Sequence, residues 1–337
     1  MLDMKKISVK SVMNFLLTNA IIILLIAISI GVGIVRPVFF WNWRDVLTNL
    51  INNTAPRFII ALGVSGCLIA KGTDLSAGRA VGLAGCIAAT FLQRSDYASK
   101  VYPHIGDINM LLVLLAVIII ASLFGAINGS IISFLNVPPF IATLGMQTII
   151  YGICLVFTGA QPIGGLRADY TRLSSGSLFD VKWLPYLGFI ALACGIIIWF
   201  IYNKTPHGKY LYAIGGNEAA AEGNGINTRL TKIVIYSSAG ALYGLAGFML
   251  GAKAGGTSVN LAMGWELEAI AGCTIGGVST NGGVGRVSGI LVGVLVFELL
   301  KIAMNFLGVE TSYTYIVQGL VIVLAVAVDM RKYAGRK

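Results

Sequence analysis

Six stretches of this chain carry no charged residue: residues 15–35, 108–135, 137–166, 183–203, 233–252 and 311–328. A helix needs about 20 apolar residues to cross a hydrocarbon core roughly 30 Å thick. Several of these runs are long enough. Shorter apolar pieces at 58–70, 80–93, 269–285 and 287–297 fill the gaps and raise the total to about ten spans. A soluble domain carries about 25% charged residues. This chain carries 11%, with 57% hydrophobic residues and 42 glycines. Few charges and many glycines suit close helix–helix contact in lipid better than a surface facing water. The expected fold is therefore all-α. It is a single polytopic transmembrane domain over residues 1–337, with about ten helices, some broken or re-entrant.

Ten spans put both termini on one side. Lys5, Lys6 and Lys10 precede the first run, and Arg331, Lys332, Arg336 and Lys337 follow the last. Between them, the loop 203–232 holds Lys204, Lys209, Arg229 and Lys232. The positive-inside rule places all three segments in the cytoplasm. The opposite loops also carry basic residues, among them Arg57, Arg94, Arg167 and Lys253, so the even span count supports the orientation as much as charge does. The first apolar run outlasts a signal-peptide core and no A-x-A site follows it, so it reads as an uncleaved span. Basic residues facing an anionic inner leaflet account for much of the +10 net charge without nucleic acid. The tryptophans Trp41, Trp43, Trp183, Trp199 and Trp265 fall near span ends, where indole rings settle.

One polar stretch breaks the pattern: residues 213–227, AIGGNEAAAEGNGIN. Asn217 is a good N-cap and Glu218 suits the positive end of a helix dipole. Three alanines favour helix, and Gly223 with Asn224-Gly225 ends it. The resulting helix of about two turns falls short of the roughly 12–15 residues that stand alone in water. It must dock on something. The residues alone leave two partners open, its own bundle or another protein.

Gly215-Gly216-Asn217, Ala220-Ala221 and Gly225-Ile226 resemble the cytoplasmic coupling loop of ribose/galactose-type sugar ABC importer permeases. The segments LGVSGCLIAKGTDLSAGR (62–79), NVPPFIATLGM (136–146) and GWELEAIAGCTIGGVSTNGGVG (264–285) extend the resemblance over nearly the whole chain. The GTDLSAGR wording is nearer the galactose/methyl-galactoside type than the ribose type. The resemblance implies a coupling helix within 214–226, contacting an ATPase through Gly215, Gly216, Asn217, Glu218, Ala220, Ala221, Gly225 and Ile226. It also implies a second permease copy, a cytoplasmic ATPase with two nucleotide-binding halves, an extracytoplasmic sugar-binding protein, and residence in a bacterial inner membrane. The chain departs from the family at two places, one of them Gly223, which is smaller than the usual residue there. The acid that usually precedes the paired alanines is replaced by Ala219, and Glu218 stands one residue earlier.

Asp74, Ser76 and Arg79 lie in KGTDLSAGR between two short apolar pieces. Charge inside a membrane marks a pathway or a structural pair, and both readings of Asp74 and Arg79 stand. The flanking glycines suit a broken helix that exposes backbone to a cavity. A faint repeat supports this. Ser65-Gly66-Cys67-x-Ile69 returns as Ala271-Gly272-Cys273-x-Ile275, and Gly78-Arg79-x-x-Gly82 as Gly285-Arg286-x-x-Gly289. Paired glycine-interrupted segments point to a translocation site, so residues 72–79 and 279–286, including Ser279 and Asn281, are expected to approach each other. Glu298 and Lys301 share a helix face and read as a self-neutralising pair. Glu266 and Glu268 open a span near the outer face and read as facing water, with contact to the binding protein as the alternative.

The chain contains no phosphate-binding G-x-x-x-x-G-K-[ST] motif. The five cysteines form no C-x-x-C pair and read as buried small residues. Two histidines, His104 and His207, suggest no metal site. No catalytic constellation or cofactor is expected in the chain itself, so ATP chemistry falls to a partner. The alternatives are an ion-driven carrier using Asp74 or Glu298, or an ABC permease for ribose, another pentose or nucleosides.

Overall fold

The computed structural model describes residues 20–181 and 183–334. The basic residues ahead of the first span and residues 335–337 lie outside the described residues. Fourteen α-helices follow one another among the described residues. They are α1 (Ala20–Val35), α2 (Val38–Trp41), α3 (Trp43–Ile69), α4 (Ala77–Phe91), α5 (Met110–Phe134), α6 (Pro139–Thr158) and α7 (Ala168–Ser175). Then come α8 (Tyr186–Lys204), α9 (Pro206–Gly216), α10 (Glu218–Gly223), α11 (Thr228–Ala254), α12 (Trp265–Ile275), α13 (Val287–Phe306) and α14 (Thr311–Ala334). Each of the ten apolar runs overlaps a helix, although 269–285 is helical only to Ile275, and the remaining four helices lie in loops. α5, α6, α8, α11 and α13 are long and apolar enough to cross a membrane on their own. α12, at 11 residues, is about 16 Å long and cannot span a core of about 30 Å. It is a half-helix whose crossing is continued by the non-helical residues after Ile275, as expected for a broken segment.

α11 is the central post. It packs on α5, α4 and α3, and small residues decide how closely. A Cβ on Gly125 would stand 2.0 Å from the Tyr236 carbonyl oxygen. One on Gly240 would stand 2.2 Å from the oxygen of Ala121, and one on Gly244 2.7 Å from that of Val117. These positions recur every fourth residue on both helices, so two smooth ridges meet backbone to backbone. The Ser122 and Ser237 hydroxyls, 2.9 Å apart, lock the register. Lipid supplies no hydrophobic drive between helices, so this contact holds the bundle by dispersion and polar bonds.

All five cysteines are free thiols, four buried and Cys194 half-buried. Isolated bridges pin the loops at the end of the bundle away from α10, joining Gln93 to Leu166 and Ile163 to Thr257.

Candidate functional site

α10 forms where expected, and its cap explains why. The Asn217 side chain accepts a hydrogen bond from the Ala220 amide at 3.0 Å, satisfying one of the helix's unpaired donors. At the other end Gly225, with φ +81°, turns the chain, and the Ile226 amide donates back to the Ala221 oxygen at 3.1 Å. Three contacts fix the helix to its own bundle. Ala221 is buried, Glu218 pairs with Lys232 of α11 at 2.5 Å, and the Thr228 hydroxyl donates to Glu222 at 2.5 Å. Glu218, the displaced acid, is thus engaged within the chain. Gly216, Ala219, Ala220 and Gly223 are left exposed, a nearly bare backbone surface. At the start of α9, burial holds the His207 imidazole below its usual range.

The glycine pair ahead of α10 is a junction. A Cβ on Gly215 would lie 1.7 Å from the Ile69 oxygen at the end of α3 and 2.5 Å from the Gly283 amide. That amide donates to the Ile69 oxygen at 2.8 Å. The Tyr212 hydroxyl of α9 donates to the Gly285 oxygen at 2.9 Å. The end of α3, the loop 279–285 and the loop carrying α10 therefore meet at one point. A cavity of about 520 Å³ opens beside it, bordered by Lys71, Gly72, Asn136, Glu218, Lys232 and Tyr236.

The sequence repeat becomes a repeated cap. After α3, the amides of Ala70, Lys71 and Gly72 donate to the oxygens of Gly66, Leu68 and Cys67. After α12, those of Gly276, Gly277 and Val278 donate to Gly272, Thr274 and Cys273. The pattern is the same, with a left-handed residue at Lys71 (φ 64°) and at Gly277 (φ 86°).

Beyond the first cap lies a buried polar cluster. One Asp74 oxygen accepts from the Ser76 amide at 3.0 Å and its hydroxyl at 2.6 Å. The Asn128 amide of α5 donates to the Ser76 hydroxyl oxygen at 3.0 Å. Thr143 of α6 accepts from the Leu75 amide at 3.1 Å. The Asn128 carbonyl and the Tyr236 hydroxyl are buried with no hydrogen-bond partner in the protein, and the Tyr243 hydroxyl faces the Asp74 carboxyl. Such groups call for water or a polar cargo.

Asp74 and Arg79 do not pair. The Arg79 guanidinium donates to the Val259 oxygen at 2.9 Å and to the Asn260 side chain at 3.3 Å. It also lies 4.1 Å above the Tyr151 ring. Ser279 is buried and its hydroxyl accepts from the Asn281 amide at 3.1 Å. The contacts between the two segments run through Ile69 and Lys71 to Gly282, Gly283 and Gly285, not through Asp74 to Ser279. Sequence reading passed over Asn128, Thr143, Tyr236 and Tyr243. The seven-residue spacing of the two tyrosines, which puts them on one helix face, was the available signal.

The acidic residues of α12 correct an expectation. Neither faces water. Glu266 is buried against Gly78, and Glu268 pairs with Arg57 at 3.2 Å and Lys301 at 2.5 Å. The Glu298–Lys301 pair forms at 2.8 Å, as expected, and Arg57 joins it at 2.8 Å.

Residues 46–326, from α3 into α14, match the family described as branched-chain amino acid transport system / permease component. The chain belongs to this permease family. Over 338 residues the permease is 39% identical to the galactose/methyl galactoside import permease of Escherichia coli, covering 99% of this chain and 100% of the relative. The corresponding protein of Haemophilus influenzae is 40% identical, with 96% and 97% covered. The ribose import permease of the same organism is 33% identical, with 96% of each chain covered. No solved structure matches the permease.

Proposed function

We propose that this permease is the membrane-spanning subunit of a bacterial inner-membrane ABC importer for galactose or a related hexose. It works beside a second permease copy. A cytoplasmic ATPase docks on α10 and hydrolyses ATP, and an extracytoplasmic binding protein delivers the sugar. The observation that carries the reading is the bare outer face of α10. A helix of six residues is tied down on one side, presents Ala219, Ala220 and Gly223 on the other, and continues through Gly215 into both broken helices. Such a face admits a partner's side chains up to the backbone, and nothing within the bundle covers it. The sugar reading rests on the likeness to galactose/methyl galactoside permeases, which exceeds that to ribose permeases.

The test is co-purification with the ATPase. Ala220→Trp is expected to abolish stimulation of ATP hydrolysis by loaded binding protein while leaving the isolated permease folded. A variant that is still stimulated would sink the docking role. One observation favours a second reading. Asp74 is a buried carboxyl with no cationic partner among the described residues, the kind of group that ion-coupled carriers place in a membrane. Uptake by the purified chain alone, driven by a pH gradient, would establish it.

A further inference from the structure

Three polar stripes face one another at the end of the bundle away from α10. On α3, Asn49, Asn53 and Arg57 recur every fourth residue. On α13, Glu298, Lys301 and Asn305 follow at three and four, and on α12 Trp265 and Glu268 at three. Such spacings put each set on one helix face. Lys253, near the end of α11, closes the group. All of them except Glu268 border a cleft of about 500 Å³. A second space of about 220 Å³ shares Arg57, Trp265, Lys301 and Asn305 and reaches Thr314 and Gln318 of α14.

The inner wall is a charge lattice. Arg57 and Lys301 each contact both Glu268 and Glu298, at 2.5–3.2 Å. The Arg57 guanidinium lies 3.7 Å above the Trp265 ring. The lattice matches two cations to two carboxylates, so a structural role accounts for these four residues. It does not account for the rest. Lys253 is a third cation, and it donates to the Asn53 side chain. Asn49 and Asn305 are exposed into the cleft from helices of a membrane protein. Amides at such positions persist where they line a watery or cargo-filled cavity. The volume falls within the roughly 300–1,000 Å³ of small-molecule sites. An aromatic ring, three amides and a fixed set of charged donors and acceptors is the chemistry that holds a neutral polyhydroxyl compound.

We propose that this cleft is an outer subsite for a neutral sugar. Asn49, Asn53, Asn305 and Trp265 contact the cargo, and the charge lattice holds them in place. The four lattice charges compensate one another, so the three amides and the Trp265 ring supply most of the contacts open to a cargo. α11 begins at the α10 loop and ends at Lys253–Ala254. The cleft therefore lies on the extracytoplasmic half, where a binding protein releases its load. This inference rests on the sugar-importer reading above and adds a place to it.

The experiment uses the assembled importer in proteoliposomes, with galactose as the probe. Asn305→Cys is treated with a water-soluble maleimide. Galactose is expected to slow labelling about fivefold, and the same concentration of leucine to leave it unchanged. Replacing Asn49 and Asn305 together by leucine is expected to cut galactose uptake about tenfold, the worth of one or two lost hydrogen bonds. Val156→Leu, at an exposed position on α6, is the control. Labelling that ignores galactose, or uptake within about twofold of the unmodified complex, overturns the subsite while the importer reading stands. An unmodified complex that moves no sugar overturns both.

Discussion

The two helix breaks share one backbone device and put it to different uses. After Ile69 and after Ile275 the chain closes with the same three hydrogen bonds and one left-handed residue. The first break then runs into Asp74 and Ser76, deep among Asn128, Thr143 and two buried tyrosines. The second runs into Gly282 and Gly283, both at positive φ, with no buried carboxylate and with its backbone pressed against Gly215. The difference teaches that the repeat fixes geometry and leaves chemistry free. One copy became a polar chamber and the other a mechanical contact.

The largest effect is expected where the two breaks join. In Gly215→Val the new side chain would overlap the Ile69 carbonyl, and backbone cannot yield as a side-chain tip can. Thermal unfolding of the isolated permease is expected to show a loss of more than about 3 kcal/mol. At exposed Gly216 an added Cβ meets nothing within 4 Å, so for Gly216→Trp unfolding should stay within about 0.5 kcal/mol while ATPase stimulation disappears. Equal behaviour of the two variants would show that the junction is not at Gly215.

The polar chamber gives the next effect. Asp74→Ala strips the Ser76 amide and hydroxyl of their acceptor and is expected to cost about 1–3 kcal/mol, whereas Asp74→Asn retains an acceptor and costs less. Ser279→Ala, directly after the second cap, removes one acceptor and should cost about 1 kcal/mol. Denaturation in detergent ranks the three. A Ser279 variant costlier than Asp74→Ala would reverse the assignment of roles.

The caps themselves differ more finely. Gly277→Ala meets open space, so its cost of about 1–2 kcal/mol is purely the left-handed backbone. Lys71→Gly relieves the same strain but loosens the unfolded chain, for a net gain of roughly 0.5 kcal/mol. Opposite signs in thermal unfolding would confirm that the two caps are one structure with different residues.

The smallest effect lies in the outer loop. Arg167 donates to Asp169 at 3.1 Å and to the Ile108 oxygen at 2.7 Å. The hydrogen bonds from Arg167 hold the Asp169 carboxyl below its usual range. A depressed carboxylate contributes stability above its unfolded value, near 4, and loses it as pH falls through the lower folded value. Being largely exposed, the pair is worth at most about 1 kcal/mol. Limited proteolysis of residues 159–185 should speed up below that range, and Asp169→Asn should abolish the pH dependence.

Local chemistry was legible in the sequence. Uncharged runs gave the helices, Asn217 and Gly225 bounded α10, and repeated cysteine-bearing motifs marked the two caps. What stayed hidden was assembled from distant pieces. Arg57, Glu268 and Lys301 lie on separate helices, and each alone looks like a loop charge or a local pair. Their meeting depends on how α3, α12 and α13 cross, which no periodicity encodes. Glu268 was misread for that reason: its partners are far away in sequence, and water was the nearest one in view. The polar chamber was half visible through Asp74 and Ser76, and invisible where Asn128 sits inside an uncharged run.

Gly215 carries one further consequence. With no side chain there, backbone touches backbone between the α10 loop, the end of α3 and the loop after α12. Packed backbone compresses very little. A push delivered to α10 therefore arrives at both breaks together and undiminished, as through a rigid yoke. A bulkier residue with its own rotamers would have put a spring at that point, and one break could then have moved without the other.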